Sequence, residues 1–342
     1  MDTPAKSLGT TSRREFLRGA GAALGIVGLA GLPALAGCRQ AAPSGGVKRI
    51  TVTVFTPPSF TSLFPPIIKQ KKLDQANGLD IEFVSKDSRA AYTDYASGTD
   101  TLNAAMGLLN EASYYIKGVP TRSLFLLFNL WGTVITENPA IQTLKDLEGR
   151  TLAADTVSTN YKMFQWFAVK AGVDLNKIDV QSNTTAALPT VALSGRADAV
   201  QLWEPSFTKL ALEHPGRFRQ LSYVERWKEY TGYDVNPYIC VSAHKSWIDA
   251  NADAIPPLYT TYKQAAAWMV PNPDEAATIL QEATEIPAAV IKELITSGRI
   301  SLNVAPAEQF EAEFRAVYQA GVETGFLEKV PDMGIIYKGL KA

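Results

Sequence analysis

The sequence predicts an α/β protein built as two lobes with a ligand cleft between them. Three observations carry this. From residue 48 onward, short β-branched runs alternate with longer helical stretches, the pattern of sheets covered by helices. At 342 residues, 46% hydrophobic and 20% charged, the chain is long and apolar enough for two domain-sized cores. The alternation also builds one unit up to about residue 128, starts a second near Asn129, and ends in helices that complete the first.

Taken in order, KRITVTVF (48–55) reads as the first strand, followed by the turn-rich Thr56–Thr61 and a helix with an early proline pair running to about Lys72. Residues 80–84 alternate as a strand, 88–97 as a helix that Gly98 stops, and 101–106 as a strand. A helix over 110–117 precedes the apolar strand 123–128. In the second unit, 131–136 reads as a strand, 143–147 as a helical turn, and 150–154 as a strand. A helix follows over 159–171, with Gly172 as its stop. Residues 179–181 and 197–202 are strand-like, 186–194 helical, and YICVSA (238–243) is one more strand. From Ser246 the pattern is almost entirely amphipathic helix. The expected lobes are therefore 48–128 with 245–342, and 129–244.

The N-terminus reads as a processing signal. An arginine pair, Arg13-Arg14, and the apolar Phe16-Leu17 stand before an uncharged stretch running from Gly19 to Gly37, the order of a charged region followed by an apolar one. The arginine pair resembles a twin-arginine export signal. Leu35-Ala36-Gly37-Cys38 looks like a bacterial lipobox, with cleavage before Cys38 and lipid on its sulfur. Residues 1–37 are thus expected to be an export signal and 38–47 a lipidated cysteine with a flexible tether of small residues. That arrangement would hold the protein on the outer face of the bacterial cytoplasmic membrane.

Charge and composition exclude several classes. Lys+Arg 33 against Asp+Glu 34 leaves a formal charge of -1, with none of the basic excess of a nucleic-acid binder. Two cysteines and two histidines show no paired metal-ligand spacing, so no metal or cofactor is expected. The chain contains no G-x-S-x-G elbow, P-loop or H-E-x-x-H, and neither His214 nor His244 pairs with a nucleophile by pattern. An enzyme is not expected.

In open α/β sheets a ligand lies beyond the carboxyl ends of the strands, where loops lead into helix N-termini. Four such loops can be named: 56–61, 107–111, 155–160 and 203–206. Their candidate contacts are Phe60, Asn110, Ser158, Thr159, Asn160, Tyr161, Trp203 and Glu204, with Trp131 beside them. Aromatic rings among them suit a flat ligand. Bland readings stand next to these: Trp203 follows an apolar strand and fits a core, Glu204-Pro205 fits a plain helix start, and Ser158 or Thr159 fits a helix cap.

Three segments carry a family resemblance. ASGTD (96–100), LKDLEGRTLA (144–153) and LSGRADAV (193–200) resemble, in order and spacing, the solute-binding proteins of ABC importers for sulfonates, nitrate, taurine and thiamine precursors. That group includes thiamine pyrimidine synthase-like and riboflavin-binding members. The likeness spans about residues 48–330. It implies a type II periplasmic-binding-protein fold that closes on ligand by hinge bending, and a monomer that delivers its ligand to a permease driven by an ATPase. The enzymatic branch of the group uses a cysteine-rich motif, and only Cys240 remains after lipidation. Small anions need several donors or a cation, whereas the named loops hold no Arg or Lys apart from Lys162 just past one of them. The expected ligand is therefore a planar heterocycle, riboflavin first. Asn103, Asn110, Ser158, Thr159, Asn160 and Glu204 would serve its hydroxyls. A thiamine pyrimidine precursor and an alkylsulfonate, taurine or nitrate-type anion are the alternatives.

Overall fold

A computed structural model describes residues 46–340. The expected export signal, Cys38 and most of the expected tether lie outside these residues. Strand β1 (Lys48–Phe55) leads through α1 (Phe64–Gln70) and α2 (Leu73–Ala76) into β2 (Leu79–Lys86), and α3 (Ser88–Ser97) leads into β3 (Leu102–Asn103). Then come α4 (Leu108–Ile116) and β4 (Thr121–Asn129). The second unit holds β5 (Thr133–Thr136), β6 (Thr151–Ala154), α5 (Thr159–Lys170), β7 (Asp179–Ser182), α6 (Leu188–Ser194), β8 (Ala199–Leu202), α7 (Ser206–Glu213), β9 (Arg219–Ser222) and α8 (Trp227–Thr231). The return comprises β10 (Pro237–His244), α9 (Lys245–Asn251), α10 (Ile255–Met269), α11 (Pro273–Thr284), α12 (Ala288–Thr296), β11 (Ala305–Pro306) and α13 (Glu311–Glu323).

Two sheets result, as the alternation predicted. One runs in the order β11-β4-β10-β3-β1-β2 and the other β7-β6-β8-β5-β9. Within each, three neighbouring strands are parallel: β2, β1 and β3 in the first, β7, β6 and β8 in the second. Their carboxyl ends therefore share one edge in each sheet. The chain crosses between the sheets twice, and Leu130 N–H in one crossing donates to the Asn236 carbonyl in the other at 2.8 Å.

One expected boundary moves. The strand placed in the second lobe, over 238–243, belongs to the first sheet, where β10 pairs antiparallel with β4 and β3. All eight of its residues are buried, and a strand covered on both faces reads as an unbroken apolar run that says nothing of its sheet. The second crossing thus lies just before Pro237, not at residue 244. The strand expected over 101–106 shrinks to two residues because Asn103 Oδ1 accepts from the N–H groups of Ala105 and Met106, turning the backbone out of the ladder. Strand β9 was not foreseen; only Leu221 of its four residues is buried, so no alternation marks it. The first core is aromatic at its centre, where the Phe64 ring lies 5.0 Å from Tyr262 and 5.4 Å from Phe128.

Candidate ligand-binding site

A cavity of about 290 Å³ lies where the strand-end loops of the two sheets meet. From the first sheet it is lined by Phe55, which ends β1, by Thr56–Phe60 after it, and by Asp87–Arg89 and Tyr92, which follow β2. From the second come Asp155 and Ser158 after β6, Thr184–Ala186 after β7, and Trp203 after β8. Tyr238 and Ile239 of β10, beside the crossings, complete the wall. Five strand ends thus converge on one space, as the topology of an open α/β sheet requires.

Three of the nine residues picked from sequence line this cavity: Phe60, Ser158 and Trp203. Phe60 is wall and core at once, 4% exposed and stacked on Phe128 at 5.2 Å. The Ser158 hydroxyl is fully employed, accepting from Tyr161 N–H to cap α5 and donating to the Asp155 carbonyl at 2.8 Å. Trp203 is half-buried and packs at the edge of the second lobe's small apolar cluster, leaving it free to present its ring to a ligand.

The other six do not line it. Asn110 and Thr159 face each other across the lobes. Thr159 Oγ1 donates to Asn110 Oδ1 at 2.6 Å, and Asn110 Nδ2 donates to the Val157 carbonyl at 3.2 Å. Gly107 belongs to the same contact: a Cβ there would stand 2.5 Å from Thr159 Oγ1 and 3.2 Å from the Tyr238 ring. Loop 107–111 therefore joins the lobes and lies outside the cavity wall. Trp131 packs on Phe207 at 5.3 Å. Asn160 is buried against Gly132, its main-chain carbonyl accepting from Gln201 Nε2 at 3.1 Å and its Nδ2 lacking a partner among the described residues. Tyr161 is buried beside Phe164.

Glu204 sits one residue past the cavity wall, fully buried. It accepts from Thr208 N–H at 3.0 Å and Thr208 Oγ1 at 2.8 Å, and Arg299 of the first lobe donates to the same hydroxyl at 3.0 Å. Burial pushes the Glu204 carboxyl up to about 7, against the pull of those hydrogen bonds and of Arg299.

Sequence reading missed the loops after β2 and β7. It also missed Arg89, the one cation of the wall among the described residues, because the helical pattern of 88–97 does not show which strand end it follows. Asp87 caps that helix through the Arg89 and Ala90 N–H groups, while Asp94 and Asp100 are taken by Lys86. Arg89 has no ion-pair partner among the described residues. Lys162, by contrast, lies over the Tyr161 and Phe326 rings at 5.3 and 5.5 Å, outside the cavity. Tyr92 and Tyr238 bring phenols into the wall, and burial raises both hydroxyls above their ordinary range, so they are neutral hydrogen-bonding groups.

Comparison with known proteins agrees with this architecture. The periplasmic aliphatic sulphonate binding protein SsuA from Escherichia coli superposes with a TM-score of 0.70 at 17% identity, covering 86% of this chain and 98% of that one. The alkanesulfonate-binding protein SsuA from Xanthomonas axonopodis pv. citri, bound to MOPS, gives 0.69 at 16% identity, covering 85% and 99%. A Candida albicans protein described as having the generic periplasmic binding protein fold gives 0.56 at 16%, covering 83% and 92%. The fold is that of a periplasmic binding protein. The model of the family described as NMT1/THI5 like matches residues 70–276, more than half of the chain, and the protein belongs to that family. No curated protein matches it in sequence.

Proposed function

We propose that the protein is the solute-binding component of an ABC importer, which captures a small solute in the cavity and releases it to a permease when the lobes part. The convergence of five strand-end loops from two sheets on one cavity carries this reading, because only a ligand held by both lobes couples occupancy to closure. The named activities of the sulphonate-binding relatives point the same way. Lipid on Cys38 would keep the protein beside its permease as a monomer on the outer face of the membrane.

Size and wall chemistry rank the solutes. At about 290 Å³ the cavity stands at the lower end of the roughly 300–1,000 Å³ of small-molecule sites. A single planar ring, such as a thiamine pyrimidine precursor, fits that volume better than the three fused rings and ribityl chain of riboflavin. Trp203, Tyr92 and Tyr238 offer the faces and hydroxyls such a ring uses. An alkylsulfonate is the second reading, favoured by Arg89, which has no ion-pair partner among the described residues, and by the names of the fold relatives. Calorimetric titration of the refolded, ligand-stripped protein with pyrimidine precursors, alkylsulfonates and riboflavin tests the proposal. Saturable binding at one site per chain is expected, with riboflavin weakest. No binding and no shift in melting temperature across the panel would count against it.

A further inference from the structure

We infer that Asp155 selects for a solute carrying a protonated amine or an equivalent N–H donor, so the cavity is not a plain anion site. The inference rests on the solute-binding reading and names the chemical class that reading leaves open.

Asp155 follows β6 directly and is 5% exposed, yet it lines the cavity. Its Oδ2 accepts from the Thr185 hydroxyl at 2.7 Å. Its Oδ1 has no hydrogen-bond partner, and no Lys or Arg pairs with the carboxylate, among the described residues. A carboxylate with little of its surface in water favours a donor or cation beside it. Here the protein supplies one hydroxyl, and the remaining oxygen is open to a donor in the cavity.

Several groups that would welcome an anion beside Asp155 are already occupied. The Arg89 and Ala90 N–H groups at the start of α3 are capped by the Asp87 carboxylate, and the Tyr161 N–H of α5 by Ser158, whose hydroxyl proton goes to the Asp155 carbonyl. The Thr185 hydroxyl is spent on Asp155. A negatively charged group placed against Asp155 would therefore meet a carboxylate, with the Ser158 and Thr185 hydroxyls already donating. Arg89 is exposed, so it suits an anionic or acceptor tail of the same solute without changing what Asp155 demands. An ammonium or amino group at Asp155 forms a charge-assisted hydrogen bond in a water-poor site, whereas an analogue lacking it leaves the carboxylate unmet.

Matched probe pairs test this: 2-aminoethanesulfonate against ethanesulfonate, and 4-aminopyrimidine against pyrimidine, each titrated into wild type and Asp155→Asn. In wild type the amino-bearing member of a pair is expected to bind at least about tenfold more tightly, equivalent to about 1.4 kcal/mol. In Asp155→Asn that preference should fall to within about threefold. Thr185→Val, which frees a second carboxylate oxygen, should keep it and provides the readout if Asp155→Asn does not fold. Equal binding of the paired probes, or a preference that survives in Asp155→Asn, overturns the role of Asp155 and leaves solute binding standing. Failure of every probe while riboflavin binds overturns it too, and failure of all of them with riboflavin sinks the binding reading itself.

Discussion

Thr159 and Asn110 meet across the two lobes, the threonine hydroxyl donating to Asn110 Oδ1 at 2.6 Å and accepting from Asn110 N–H at 3.3 Å, where the α4 and α5 N-termini come together. The contact is buried on both sides and lies beside Ser158 and Tyr238 of the cavity wall. Under the proposed function, closure over a solute depends on the integrity of this contact. A double-mutant cycle of Asn110→Ala and Thr159→Ala should give a coupling of about 1 kcal/mol in stability, measured by denaturant unfolding. Additive losses would show that the pair is incidental.

Gly107→Ala probes the same junction from the backbone side. The new methyl would stand 2.5 Å from Thr159 Oγ1, so the lobes must separate locally to admit it. Solute affinity should fall several-fold more than after Gly46→Ala, at a glycine with no neighbour within 4 Å and no positive φ. Calorimetry on both variants decides this, and equal affinities would remove the junction from the closure mechanism.

Trp203 and Phe60 should separate binding from folding. Phe60 is buried and stacked on Phe128, so Phe60→Ala is expected to cost about 3 kcal/mol of stability. Trp203 is half-buried at the edge of its cluster, and Trp203→Ala should weaken solute binding by about 1–3 kcal/mol with a smaller loss of stability. The reverse order in paired unfolding and titration experiments would make Trp203 a core residue.

Glu204 gives the pH dependence. Its folded carboxyl is raised from 4.5 to about 7, so the folded protein holds this proton more tightly than the unfolded chain does. The resulting penalty is absent below about pH 4.5 and grows as pH rises to about 7, reaching on the order of 3 kcal/mol. Glu204→Gln, which carries no such charge, should gain stability relative to wild type across that window and little below it. A difference in melting temperature that stays constant from pH 4 to 8 would contradict the assignment.

The strand ends were legible in the sequence and their partners were not. KRITVTVF alternates visibly, and Thr56–Thr61 after it announces a loop; Phe60 was found on that basis. The same rule led to Asn110, because a helix N-terminus looks alike whether it faces a ligand or another helix. Only the approach of Thr159 to Gly107 tells them apart. Asp155 was inside a loop singled out from sequence, yet what marks it is burial without a cation, which no spacing encodes. Arg89 was hidden by the plain helical pattern of 88–97. Pairing of β10 with β4 is a long-range choice, made by two-sided burial that YICVSA shares with any interior strand.

Occupancy of the cavity is tested most directly by native mass spectrometry of wild type and Ala186→Trp, after incubation with the tightest-binding solute from the titrations. Ala186 lines the cavity, and an indole there would fill much of the space. Wild type is expected to carry one small molecule per chain and the variant none, with both folded by circular dichroism. Equal occupancy in the two proteins would contradict the account, because the solute would then be held somewhere other than between the two sheets.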